Sequence, residues 1–225
     1  MKTISFLSVV ALLAAAAHSF GQSGLQPVKM SFGDKYSGGY EGVITDEDKW
    51  AIYSIDEHEQ LANGTGSAYA DFVFQKPGNY RITFEAHHDS GVAETTHTCE
   101  HKLLPDTVLV AVSGVRMNYD FSNINFSAPI HAGVPANSIS VSVPVQVELY
   151  GDNGYTFTIP AAKTAGLATS VVAEPTGTSP VVLQNGTMTL NYQLSGSVSR
   201  SSYIMFDFVD FNGNVQSYAP TSIID

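Results

Sequence analysis

Two short runs concentrate the side chains most capable of chemistry: Glu85-Ala86-His87-His88-Asp89 and His97-Thr98-Cys99-Glu100-His101. Alternate residues of an extended strand share one face, so a strand over 95–102 would set His97, Cys99 and His101 side by side. A preceding strand that pairs back across the 89–94 loop would bring His87 or His88 to the same cluster. Imidazole and thiolate are ligands for zinc and copper(I), so His87, His97, Cys99 and His101 are the candidate metal ligands. The spacing matches no established zinc signature. The competing reading is a hairpin with partly exposed polar residues and Cys99 buried as a small hydrophobe.

Calcium is the other candidate ion. Asp46-Glu47-Asp48 forms a dense acidic loop, and Asp207, Asp210, Asn212 and Asn214 gather around a turn. Oxygen-rich loops of this kind can hold calcium. Neither has the register of a helix–loop–helix calcium site, because Gly213 follows Asp210 too closely. Solvated loops are the simpler explanation for both.

Catalytic signatures are missing. His58-Glu59-Gln60-Leu61-Ala62 begins like a zinc-protease helix, but Ala62 stands where the second histidine is needed. There is no Gly-x-Ser-x-Gly elbow and no phosphate loop. Carboxylates are plentiful in the first half, yet spacing nominates no glycosidase pair. No catalytic residue is assigned, and the chain reads as a non-enzyme. A different chemistry is offered by Tyr36, Tyr40 and Tyr119, with Phe121 and Phe126, which lie in Gly- or Asn-rich stretches. Exposed rings can stack on sugars, which makes Tyr36, Tyr40 and Tyr119 candidate ligand-binding residues. The alternative is that they are core or cross-strand aromatics.

The elements that must position these groups are strands. Period-2 patterning dominates, and no long amphipathic helix is evident. Strand-like runs bounded by turn residues include 50–55, 68–74, 80–86, 107–112, 138–149 and 155–159, followed by 169–173, 187–194, 203–209 and 215–218. Asp152-Asn153-Gly154 and Asn212-Gly213 predict type I′ hairpin turns, and 161–168 predicts at most one helical turn. Short, closely spaced strands of this kind indicate all-β sandwiches. Five of the six histidines after the leader, and most of the charge, lie before residue 110. That change in surface chemistry predicts two domains in tandem, 23–106 and 107–225, behind a leader over 1–22.

The segment from Ala70 to Phe84 reads strand, Pro77-Gly78 corner, strand, with Tyr80 just after the turn. It resembles the E–F corner of immunoglobulin-like sandwiches, including bacterial polycystic-kidney-disease-like modules. In those modules a tyrosine returns its hydroxyl to the backbone. Trp50 is similar to the core aromatic of such folds, while Ile82 stands where an antibody-type domain carries a cysteine. The terminal 203–218 stretch resembles the last hairpin of a second module. The resemblance implies an immunoglobulin-like fold for each half and no activity.

Export follows from Met1-Lys2-Thr3, the apolar run 4–17 and the small residues near 18–22, the parts of a secretory signal peptide. The run is too short to span a bilayer comfortably. The net charge of −11, becoming −12 when Lys2 leaves with the leader, disfavours nucleic acid and anionic surfaces. One cysteine allows no internal disulfide. The sequence therefore points to an exported, adhesin-like module, periplasmic, at the cell surface or extracellular, that binds a protein or glycan. A carbohydrate-binding or carbohydrate-active protein is the alternative. A module holding zinc or copper is the third reading.

Overall fold

A computed structural model describes residues 26–36, 44–85, 107–151, 153–200 and 203–219, and over these the chain is nearly all β, in several sheets. The first half contributes β1 (Val28–Ser31), β2 (Lys49–Ser54), β3 (Glu59–Thr65), β4 (Gly78–Glu85) and β5 (Thr107–Ser113). They form one sheet in the order β1-β5-β4-β2-β3, antiparallel except for the β1–β5 pair. Alternation decides its faces: Trp50, Ile52, Tyr80, Ile82, Phe84 and Val110 are buried, while their neighbours point outward.

The buried face is closed by a 3-10 turn over Gly66–Asp71, not by the strand expected at 68–74. That turn delivers Tyr69 edge-on to Phe84 at 5.1 Å and to Trp50 at 6.4 Å. Apolar residues at 69, 70, 72 and 74 mimic a strand in sequence, but the sheet needs a cover there, and burial of Tyr69 decides the conformation. Among the described residues the first half thus shows one covered sheet rather than the two facing sheets of a sandwich. The corner itself forms as the resemblance implies: the Tyr80 hydroxyl donates to the Lys76 carbonyl at 2.7 Å.

The second half is a sandwich. Its strands are β6 (Val115–Tyr119), β7 (Asn125–Phe126), β8 (Ser140–Leu149), β9 (Thr156–Phe157), β10 (Lys163–Gly166), β11 (Val172–Pro175), β12 (Val181–Val182), β13 (Gly186–Ser195), β14 (Ile204–Val209) and β15 (Val215–Tyr218). One sheet runs β11-β13-β8-β6 with β7 beside β8; the other runs β10-β14-β15, and β9 pairs with β12. Val141, Val143, Val145 and Val147 of β8 point inward with Leu190, Tyr192 and Leu194 of β13. Phe206 and Phe208 of β14 meet them in a single core.

β5 pairs with β1 and β4, and its Val110 and Val112 belong to the first core. The change of core falls at Gly114, immediately before β6. Asn153-Gly154 does not close a hairpin, since β8 and β9 pair with different strands. The 161–168 stretch is the edge strand β10 rather than a helical turn. Asn212-Gly213 does lie in the β14–β15 hairpin, but within a five-residue loop where Gly213 alone is left-handed. A type I′ turn needs two such residues.

Only Gly114 separates β5 from β6, and a Cβ there would meet the Tyr155 hydroxyl at 2.0 Å. Around it the halves are pinned together. Arg116 meets Asp34 at 2.6 Å, and the Asn212 amide donates to Ser31 Oγ at 2.8 Å in a buried contact. Phe32 packs edge-on to Tyr150 at 5.6 Å.

Candidate functional site

The outward residues of the first sheet line an open recess. On β2, Lys49, Ala51 and Tyr53 point away from the core because Trp50, Ile52 and Ser54 point into it. Register then fixes their neighbours. Tyr53 lies opposite Arg81 and Gln60, Ala51 opposite Thr83 and Asn63, and Lys49 opposite Glu85 and Thr65. Ala51 is the small residue in the middle row, so its longer neighbours leave an open groove of about 400 Å³. The β3 wall carries a bulge in which Leu61 is the extra residue, and such an insertion bends a strand and raises its twist.

Chemically the groove is mixed. At one end the Arg81 guanidinium lies over one face of the half-exposed Tyr53 ring, 5.1 Å from its centre. The middle offers the Asn63 and Gln60 amides and the Thr83 and Thr65 hydroxyls, all donor–acceptor groups. Lys49 and Glu85 close the far end. Glu85 is the single carboxylate among its lining residues, so the groove carries no carboxylate pair for glycoside cleavage. An aromatic platform beside amides and hydroxyls suits neutral, hydroxyl-rich ligands.

Tyr36 and Tyr119, expected as exposed stacking rings, are core residues. Tyr36 is buried against Tyr69 at 6.1 Å, and burial pushes its hydroxyl above the usual tyrosine pKa. Tyr119 is buried against Phe208, its hydroxyl donates to the Val209 carbonyl at 2.9 Å, and burial strongly raises its pKa. Chain segments rich in Gly and Asn surround both, but each ring turns inward to fill a core. Tyr40, like His87, His97, Cys99 and His101, lies outside the described residues.

The acidic loops are bound up with their own backbone. Asp48 is buried and accepts from the Thr45 amide at 2.7 Å. Asp210 accepts from the amides of Asn212 and Asn214 at 2.9 and 2.8 Å, and Asp207 accepts from the Ser217 hydroxyl. Asn212 turns its amide to Ser31. Among the described residues no three His, Cys, Asp or Glu side chains converge as a zinc, copper or calcium site would require. Sequence reading missed Tyr53, Arg81 and Asn63. The alternation around Trp50 was visible, but the pairing that lines up three strands across Ala51 was not.

No protein-family model matches the chain, and no curated protein matches it. Among solved structures, the crystal structure of the major pilin subunit of Bacillus cereus aligns over 88% of this chain and 67% of its own. The identity is 10% and the TM-score 0.22, a likeness too low to carry an argument about fold or activity.

Proposed function

We propose that this chain is an exported, non-catalytic interaction module that binds a glycan along the outer groove of its first sheet. The observation that carries the reading is the Tyr53–Arg81 platform set beside Asn63, Gln60 and Thr83. Sugars present alternating apolar faces and hydroxyl rims, which match a ring and flanking amides. The leader supports export, and the lack of a recognisable catalytic signature supports binding without turnover.

A glycan array on the purified full chain, followed by calorimetric titration of the best ligand, tests this. Tyr53→Ala is expected to weaken binding at least tenfold, and Asn63→Ala several-fold, with the thermal midpoint nearly unchanged. An array with no ligand, or a ligand whose affinity ignores both substitutions, would remove the groove from the reading. A protein partner is the second reading, because β3 is an edge strand with no strand neighbour on its outer side among the described residues.

A further inference from the structure

The second half meets the first on the same outer face that carries the groove. Along β4 the outward residues are Asn79, Arg81, Thr83 and Glu85, because Tyr80, Ile82 and Phe84 point into the core. Thr83 and Glu85 line the groove, and Arg81 lies over Tyr53 at its end. Asn79 is the next outward residue along the strand. Register sets Asn79 opposite Ala111 of β5, and Ala111 opposite Lys29 of β1, so these three form one outward row. In the adjoining row Ser31 pairs with Ser113, and there the β14–β15 hairpin of the second half closes down, with Asn212 bonded to Ser31.

A second recess of about 300 Å³ opens where that row meets the hairpin. It repeats the plan of the first, since an alanine, here Ala111, is the short residue between longer neighbours. Phe211 supplies a half-buried ring, which Tyr155 and Phe157 back at 6.1 and 6.2 Å. Two polar groups complete the lining. The Asn79 amide nitrogen donates to Asp56 at 3.2 Å, which fixes the side chain and leaves its oxygen as an acceptor. Lys29 is exposed and makes no ion pair among the described residues, so its ammonium is a donor. A ring beside one donor and one acceptor is the chemistry of the first groove over again.

We infer that this junction recess is a second subsite for the same ligand, so that the molecule takes a linear, neutral glycan running from Glu85 past the Tyr53–Arg81 pair to Lys29 and Phe211. The inference rests on the groove reading and extends it across the joint. Continuity favours it over an unrelated small ligand: both recesses lie on one face, and Arg81 is the single outward β4 residue between them. At ordinary strand rise Glu85 to Asn79 covers about 20 Å, and the step across β5 to β1 adds about 10 Å. A track of that length suits an extended oligomer, whereas one that ended at Tyr53 would suit a short one. Sugars fit both stations, because hydroxyls can accept from Lys29 and donate to Asn79 while an apolar ring face lies against Phe211. Lys29 comes from the first half and Phe211 from the second, so the subsite exists only while the junction holds.

Calorimetric titration of the full chain with cello- and chito-oligosaccharides tests this, a trisaccharide against a hexasaccharide. In the series that binds better, the hexasaccharide is expected to bind roughly tenfold tighter, as a second linked contact gives. Ala111→Leu fills the second recess from an outward strand position; it should abolish that gain and leave the trisaccharide unchanged. Lys29→Gln, at an exposed site, should remove part of the gain with the thermal midpoint unaltered. Ala51→Leu, at the floor of the first groove, should weaken both ligands. A hexasaccharide no tighter than the trisaccharide, or a gain that survives both Ala111→Leu and Lys29→Gln, overturns the second subsite. So does an absence of binding by both series. A trisaccharide whose affinity ignores Ala51→Leu removes the groove reading instead, so the two failures are told apart by which alanine the ligand answers to.

Discussion

At the residue scale, the buried tyrosines of the second core set an alkaline limit to stability. Tyr192 is fully buried, and burial pushes its hydroxyl up to about 12; that of Tyr119, beside it, is raised by the same cause. A tyrosine is neutral when protonated, so a folded-state pKa above the ordinary value of 10 favours the native state below pH 10. That contribution fades as pH rises from about 10 through about 12, because the unfolded chain ionises first and draws the equilibrium with it. The two-unit rise at Tyr192 corresponds to roughly 3 kcal/mol at the most. We expect guanidinium midpoints to be level from pH 7 to 9 and to fall steeply above 10, less steeply in Tyr192→Phe. Absorbance at 295 nm should show the ionisation of Tyr119 and Tyr192 arriving only with unfolding. A midpoint that stays level to pH 12 would contradict the burial argument.

At the element scale, the Pro77-Gly78 corner is the clearest case of structure legible in sequence. Pro, Gly and the following Tyr specify local backbone and one local hydrogen bond, and Tyr80 to Lys76 spans four residues. Removing the hydroxyl in Tyr80→Phe should cost about 1–2 kcal/mol, since the ring stays packed while the Lys76 carbonyl loses its donor. Chemical denaturation would read this directly, and a change below 0.5 kcal/mol (a small fraction of a typical hydrogen-bond contribution) would mean that water replaces the donor. Where the determinants were local, strands such as β2, β4, β8, β13 and β14 were readable to within a few residues. Non-local determinants hid the rest. β5 is assigned to the first sheet by its pairing with β1, and Gly66–Asp71 curls because Tyr69 must cover Trp50 and Phe84. The groove is hidden for the same reason, since Ala51, Asn63 and Thr83 converge only through register.

At the scale of the molecule, the junction around Gly114 governs how the two cores behave together. The buried Asn212–Ser31 bond and the Arg116–Asp34 pair cross it at 2.8 and 2.6 Å. The former is sealed from water and the latter partly exposed, so Asn212 carries more of the coupling. Calorimetry should give one transition for the native chain. In Asn212→Ala, Arg116→Ala the first core should melt separately and earlier, with a loss of about 1–3 kcal/mol at the junction. Two resolved transitions in the unaltered protein would show that the halves are already uncoupled.

The one-residue connection has a further consequence for any partner that touches both halves. β14 runs for six residues, about 20 Å at ordinary strand rise, and the turn that carries Asn212 to the joint follows at once. A flexible tether would let a second ligand search a cloud of positions and would spend entropy on each capture. Here the first contact already determines where the second must lie. A partner offering both surfaces at the matching separation would gain avidity, and one offering them at the wrong separation would gain none.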